Sequence, residues 1–499
     1  MRISDFMERG MRPSMSNYID AVPAHELLKD WKLEELVFNA DEARKERKLN
    51  QVMILPSWFF EVLGNINNTD YVVVTGQRGS GKSAIRRSIA DHCVSETGNS
   101  ILGGSVMCIS IDHDSTNWIR SYIENPKRSP VDYFCDEIVE KMIIAILTYR
   151  EPQEIKDALS SRDFMLLERY LRILEKKHPD EIRELSSKIL SSYKRVMDND
   201  TVKTWISAIT MFFKNEVTFA TEEPVITPSI NDIQSIINIV KKCGFDAVYV
   251  LVDEIDEYDE TTGKPDFASE IIVPILSSIN LLEKESIGFK FFIAAPVFSR
   301  LKSTSKKLNM EIRHDRTRPK PYVLEWSNSD IEKMYRLRLM TYSNGKIDSL
   351  QTFCADDLTN IDSTIVKFSY KNPRHMIRLC DTIIRYTARS ANATDYKINS
   401  DVFIAALFEF CEATCSDAYP EKEHYIQAII QNDEKIILAS KFAKDNDIDI
   451  DKANTILSEM TGLGALKMQK KLSGETEYMI IDPKIIHLKE NKRMDMNLE

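Results

Sequence analysis

Four short apolar runs mark the first three hundred residues: YVVVT (Tyr71 to Thr75), SVMCISID (Ser105 to Asp112), AVYVLVDE (Ala247 to Glu254) and KFFIAAP (Lys290 to Pro296). The first is continuous and β-branched, the pattern of a strand buried on both faces of a parallel sheet. The next segment, SAIRRSIADHCVSE, instead spaces its apolar residues for a helix. Strands separated by helical segments predict an α/β fold around a parallel sheet.

The interval between the second and third runs is long. It has no glycine from Ser105 to Cys243, and VDYFCDEIVEKMIIAILTYR, RDFMLLERYLRILEKK, PDEIRELSSKILSSYKRVM and TVKTWISAITMFFKN all keep the helical period. This predicts a large helical insertion at about 125–243 within a core of 51–300. Residues 1–50 form an N-terminal segment with a helical stretch, AHELLKDWKLEELVFNADEARKERK, expected to pack on the core. A basic stretch, EIRHDRTRPKPYVLEW, opens a second helical region at 301–420. In 421–499, EKIILASKFAKDN and DKANTILSEMTGLG read as helices, and ALKMQKKL, SGE and TEYMIID as a hairpin turning at Ser473 and Gly474. Helices followed by a hairpin predict a winged-helix-like domain.

The 499-residue length fits several cooperating domains, and 43% hydrophobic with 29% charged residues fits a soluble globular chain. A net charge of -11 confines any nucleic-acid contact to a local patch. Lys467, Lys470 and Lys471 on the expected wing are such a patch, although acids balance bases from Asp433 to Arg493. The eight cysteines lack CxxC spacing, which fits reduced thiols and a cytoplasmic protein. Cys411 and Cys415, one helical turn apart, read as buried thiols because a second ligand pair is missing. The N-terminus lacks the apolar core of a signal peptide, and no run approaches the ~20 apolar residues of a membrane span.

Chemistry concentrates after the first run. Gly76-Gln77-Arg78-Gly79-Ser80-Gly81-Lys82-Ser83 satisfies GxxxxGK[ST] between a buried strand and a helix, with Ala84 continuing into that helix. Glycines let successive N–H groups turn toward phosphates, and the helix start adds positive potential. Lys82 supplies charge to the terminal phosphates and Ser83 a hydroxyl to Mg²⁺. VYVLVDEIDE (Val248 to Glu257) is the companion strand: Asp253 for the Mg²⁺ water shell and Glu254 to polarise the attacking water. Asp256, Glu257, Asp259 and Glu260 read as a solvated loop. Arg78, Arg86 and Arg87 read equally as solvated charges or phosphate partners. Asp112, His113 and Asp114 follow a strand at the nucleotide edge, in reach of Mg²⁺ or its water, but are better placed to cap the next helix.

With GQRGSGKS, VYVLVDE, FFIAAP and YKNPRHMIRLCD (Tyr370 to Asp381), the chain resembles the P-loop ATPases with an additional catalytic glutamate. Within them it resembles the AAA+ and STAND-like branch that includes origin-recognition ATPases, over roughly Tyr71 to Ser390 plus the expected winged helix. The resemblance implies a helical lid at 301–420 and makes Arg374, in the NPR of that lid, a sensor of the γ-phosphate. It also implies ATP, since no NKxD-type guanine motif follows the core strands. The family's polar residue at the tip of the fourth strand is replaced here by Ala294, Ala295 and Pro296. An arginine finger would come from Arg313, Arg316 or Arg318, acting on a neighbouring subunit.

Three functions stay open. The first is an ATP-hydrolysing regulatory switch, with antiphage defence as a setting implied by the resemblance, acting as a homo-oligomer or through a separately encoded partner protein. The second is an ATPase that closes around DNA through the C-terminal domain. The third is a nucleotide-stabilised scaffold with little turnover. The helical insertion is the expected place for a specific partner.

Overall fold

In a computed structural model of the chain, the described residues are 23–35, 37–39, 42–113, 118–163, 165–167, 170, 230–312, 321–390, 396–419, 422–432, 434–470 and 476–496. Five strands, β1 (Val72–Gly76), β2 (Val106–Ile111), β3 (Ala247–Val252), β4 (Ile287–Ala294) and β5 (Tyr322–Val323), form one sheet in the order β2-β3-β4-β1-β5. Every pairing is parallel, so all strand C-termini open on one edge. This is the expected α/β fold around a parallel sheet. β3 and β4 are buried at every position, which is why their sequences are continuous apolar runs rather than alternating ones.

Successive side chains point to opposite faces, and each face has its own core. On one face Val248, Val250, Phe289 and Phe291 pack against Phe134, Ile138 and Met142. These come from a helix at Pro130–Tyr149 whose start is fixed by Pro130 and a reciprocal Ser129–Asp132 cap. On the other, Val74, Leu251 and Phe292 join Ile85 and Ile89 of α1 (Lys82–Val94), and this core continues into the C-terminal helices. The helical insertion is described only to residue 170 and again from Ile230; the expected helices between lie outside the described residues.

Three elements up to β5 differ from expectation. The N-terminal helix is short, Ala24–Asp30. Lys32 is left-handed (φ 59°) and Leu33 N–H donates to Leu28 O at 2.8 Å, which closes the helix in a Schellman-type turn. β4 starts at Ile287 and stops at Ala294; Ala295 and Pro296 already begin α2 (Ala295–Lys307), because proline suits a first helical turn. β5 has only two residues and was hidden in the basic stretch. Arg313, Arg316 and Arg318 of that stretch lie outside the described residues.

Beyond the sheet come α3 (Asn328–Tyr342), a helix at Ile361–Ser369, α4 (Pro373–Ser390) and α5 (Ser400–Ala418). Cys411 and Cys415 are buried free thiols on α5. The last segment holds β6 (Ile436–Leu438), α6 (Ile450–Gly462), β7 (Leu466–Lys470) and β8 (Thr476–Ile480) in an antiparallel sheet ordered β6-β8-β7. The hairpin is as expected, with its turn at Ser473 and Gly474 outside the described residues. β6 takes the first residues of an expected helix, whose remainder forms at Ala439–Asp445: Ile437 pairs with Tyr478, a long-range bond that local periodicity cannot reveal. No helix among the described residues is long and apolar enough to cross a membrane.

Candidate functional site

β1 delivers Gly76 to the open edge of the sheet, and the chain must then turn sharply enough to start α1 at Lys82. Gly79 (φ 79°) and Gly81 (φ 100°) make that turn in left-handed conformations. A Cβ at Gly79 would stand 2.7 Å from Asn372 Oδ1, so the loop also needs glycine for close approach. The loop is held from outside: Trp326 Nε1 donates to Ser80 O (2.7 Å), and Asn372 Nδ2 donates to Arg78 O (2.9 Å).

Arg78 to Ala84 line one pocket together with Asp253, Glu254 and Arg374. Lys82 Nζ donates to Gly76 O and Gln77 O at 3.1 and 3.2 Å, and burial lowers its pKa. Asp253 is 2% exposed; its Oδ1 accepts from Glu254 N–H (2.9 Å), while Oδ2 has no hydrogen bond. Burial pushes its carboxyl up to about 6, against the pull of Arg86, Lys82 and the Ser83 hydroxyl beside it. Glu254 is left-handed (φ 61°), a conformation that costs a non-glycine residue about 1–3 kcal/mol and collects at functional sites. Its Oε2 lies 2.8 Å from His113 Nδ1.

Several residues take other positions than expected. Gln77 does not line the pocket; its Nε2 donates to Gly462 O at the end of α6 (3.1 Å). Arg86 is not a solvated charge. It pairs with Asp112 and lies 3.5 Å from Asp253, so Asp112 faces α1. Arg87 NH1 donates to Ala43 O (2.5 Å) and Glu46 O (2.8 Å). Asp256 and Glu257 line the pocket, Asp259 is exposed, and burial raises the pKa of Asp256. Asp114 lies outside the described residues.

Arg374 reaches the pocket because α4 starts there. Asn372 Oδ1 accepts from Arg374 N–H (3.0 Å), so one side chain both caps the helix and grips the phosphate loop. Sequence reasoning missed that grip, the Trp326 contact and the wall formed by residues 42–53, which no local spacing encodes. At the wall's apolar end Leu49, Val52, Met53, Met334 and Ile377 converge. Among the described residues, His113, Glu254 and Glu257 also offer ligand atoms within 4.8 Å of one another.

No family model and no curated protein matches this sequence. Among solved structures, it is similar to the ORC2 protein of Aeropyrum pernix in its ADPNP–ADP complexes, at 11% identity and a TM-score of 0.40, over 91% of this chain and 99% of that one. The ADP form of that protein gives 11% and 0.34, over 92% and 96%. The Walker-type ATPase paby2304 of Pyrococcus abyssi gives 9% and 0.41, over 88% and 96%. At that distance the pocket geometry carries the functional reading.

Proposed function

We propose that the protein binds ATP with Mg²⁺ and hydrolyses it. One observation carries this reading: Lys82, Ser83, Asp253, Glu254 and Arg374, from three distant parts of the sequence, line the same pocket. The phosphate-loop amides and the Lys82 ammonium would bind the terminal phosphates. The Ser83 hydroxyl and the buried Asp253, with one oxygen left without a hydrogen bond, suit a hard hydrated cation, so these two would hold Mg²⁺. When bound, that ion offsets charge on the β- and γ-phosphates.

Glu254 would orient the attacking water and take its proton, with His113 holding the carboxylate in place. Arg374 would meet the γ-phosphate from α4, so loss of that phosphate would release α4 from the phosphate loop. Such a release is what a switch requires. In this reading the output passes to another copy or to a partner protein, and antiphage defence is the setting suggested by the sequence resemblance. A DNA-closing role has one supporting observation, the exposed Lys467 on β7 of the C-terminal sheet.

The test is phosphate release by wild type, Lys82→Ala and Glu254→Gln, with and without duplex DNA, beside nucleotide binding and mass in solution. Glu254→Gln should lose turnover by about a hundredfold or more and keep nucleotide binding. Wild-type turnover in Lys82→Ala would sink the reading, and faster turnover with DNA would favour the DNA-closing role.

A further inference from the structure

Residues 42–53 are a wall of the pocket, and they are fastened from both sides. From the core, Arg87 of α1 donates to the carbonyls of Ala43 and Glu46. From the lid side, Arg338 of α3 forms an ion pair with Glu46 and donates through Nε to Val37 O. The pair is buried, with Glu46 3% and Arg338 4% exposed. Tyr342 OH donates to the other Glu46 oxygen, which also accepts from Lys48 N–H at 3.0 Å. Both carboxylate oxygens are therefore engaged, and Glu46 and Arg338 themselves line the pocket.

A continuous chain of contacts thus runs from α1, through residues 42–53, to α3. Its Glu46 and Arg338 lie on the lining of the same pocket as the phosphate loop. Moving α3 away from α1 must break either the Glu46–Arg338 pair or the Arg87 bonds. Opening must break the pair and its hydrogen bonds to Tyr342 and Lys48 together, so the closed arrangement resists opening. The same pair adds little to overall stability, because its desolvation offsets most of its attraction.

We infer that Glu46 and Arg338 are positioning residues that latch residues 42–53 over a bound nucleotide and set the rate at which it leaves. The inference rests on the nucleotide reading of this pocket. Release has to undo the latch. Loss of the latch therefore raises the dissociation rate.

The experiment is stopped-flow release of N-methylanthraniloyl-ADP from the full chain, chased with excess ADP. The variants are Glu46→Gln, Arg338→Met, the double variant and Arg87→Met. Each single variant should release on the order of tenfold faster. The double variant should fall short of the product of the two singles, because both remove one interaction. Arg87→Met loosens the wall from its other side and leaves the buried pair intact, so it decides the matter if Glu46→Gln does not fold. Wild-type release rates in folded variants would overturn the latch alone. A wild type that binds this nucleotide no better than Lys82→Ala would overturn the pocket reading and the latch with it.

Discussion

Two charges are buried in the same sheet and are treated in opposite ways. Lys290, 1% exposed, lies midway along β4; its ammonium sits 4.8 Å over the Tyr249 ring and 3.4 Å from Asp70 O. Asp253, 2% exposed, follows β3 at the open edge and keeps an oxygen with no hydrogen bond. A buried charge on a packed strand fixes the packing around it, whereas a buried acid whose charged form stays disfavoured even with Arg86 3.5 Å from its Oδ2 holds free energy available to a ligand. The closed half of the sheet is built for rigidity, and the open edge for binding.

The sharpest way to break this contrast is catalytic. Asp253→Asn should lower phosphate release by about a thousandfold, the scale of several kcal/mol for a metal-binding group. Lys290→Met should leave it within about threefold. Equal losses would show that both charges serve the same end.

Stability gives the reverse ranking for Lys290. Lys290→Ala should cost about 3–5 kcal/mol in urea unfolding, combining a cavity with lost partners, and Lys290→Met about 1 kcal/mol. A harmless Lys290→Ala would remove the structural half of the comparison.

Asp253 should behave in the opposite sense in chelator-treated protein. Burial raises its folded-state pKa to about 6, so the native state disfavours the charged form and wild type gains stability as pH falls from 6 toward the ordinary aspartate range. Asp253→Asn should therefore be more stable than wild type by up to about 3 kcal/mol at pH 8, with the advantage gone near pH 4. Equal unfolding midpoints at pH 8 would contradict an acid whose charged form burial disfavours.

The smallest effect concerns the loop backbone at the open edge. Trp326→Phe removes the donor to the buried Ser80 carbonyl and should cost about 1–2 kcal/mol by thermal or urea unfolding. No loss would mean that water replaces the indole at once.

What was legible in the sequence follows from chemistry confined to contiguous residues. The phosphate loop, the acids after β3 and the NPR before α4 each carry their spacing with them, and the structure brings them to one pocket. The wall at 42–53 was invisible because Glu46 and Arg338 stand far apart in the chain and each has the look of an ordinary helix or loop charge. β5 is too short for any period, and the IIL of β6 fits strand and helix alike until Tyr478 supplies a partner. Arg86 read either way because its two carboxylate partners, Asp112 and Asp253, come from different strands.

Two of the contacts between the core and lid helices and the C-terminal segment use main-chain acceptors. Gln77 reaches Gly462 O and Tyr370 reaches Gly464 O, at 3.1 and 2.9 Å. A carbonyl survives substitution of its own residue, and a side chain at Gly462 would meet open space. A mutational survey of the C-terminal segment would therefore record Gly462 as tolerant, and Gly464 as sensitive only through its left-handed φ of 83°. For these two contacts the genetic signature would fall on one side alone, at Gln77 and Tyr370, while the Arg300–Glu459 ion pair would show on both.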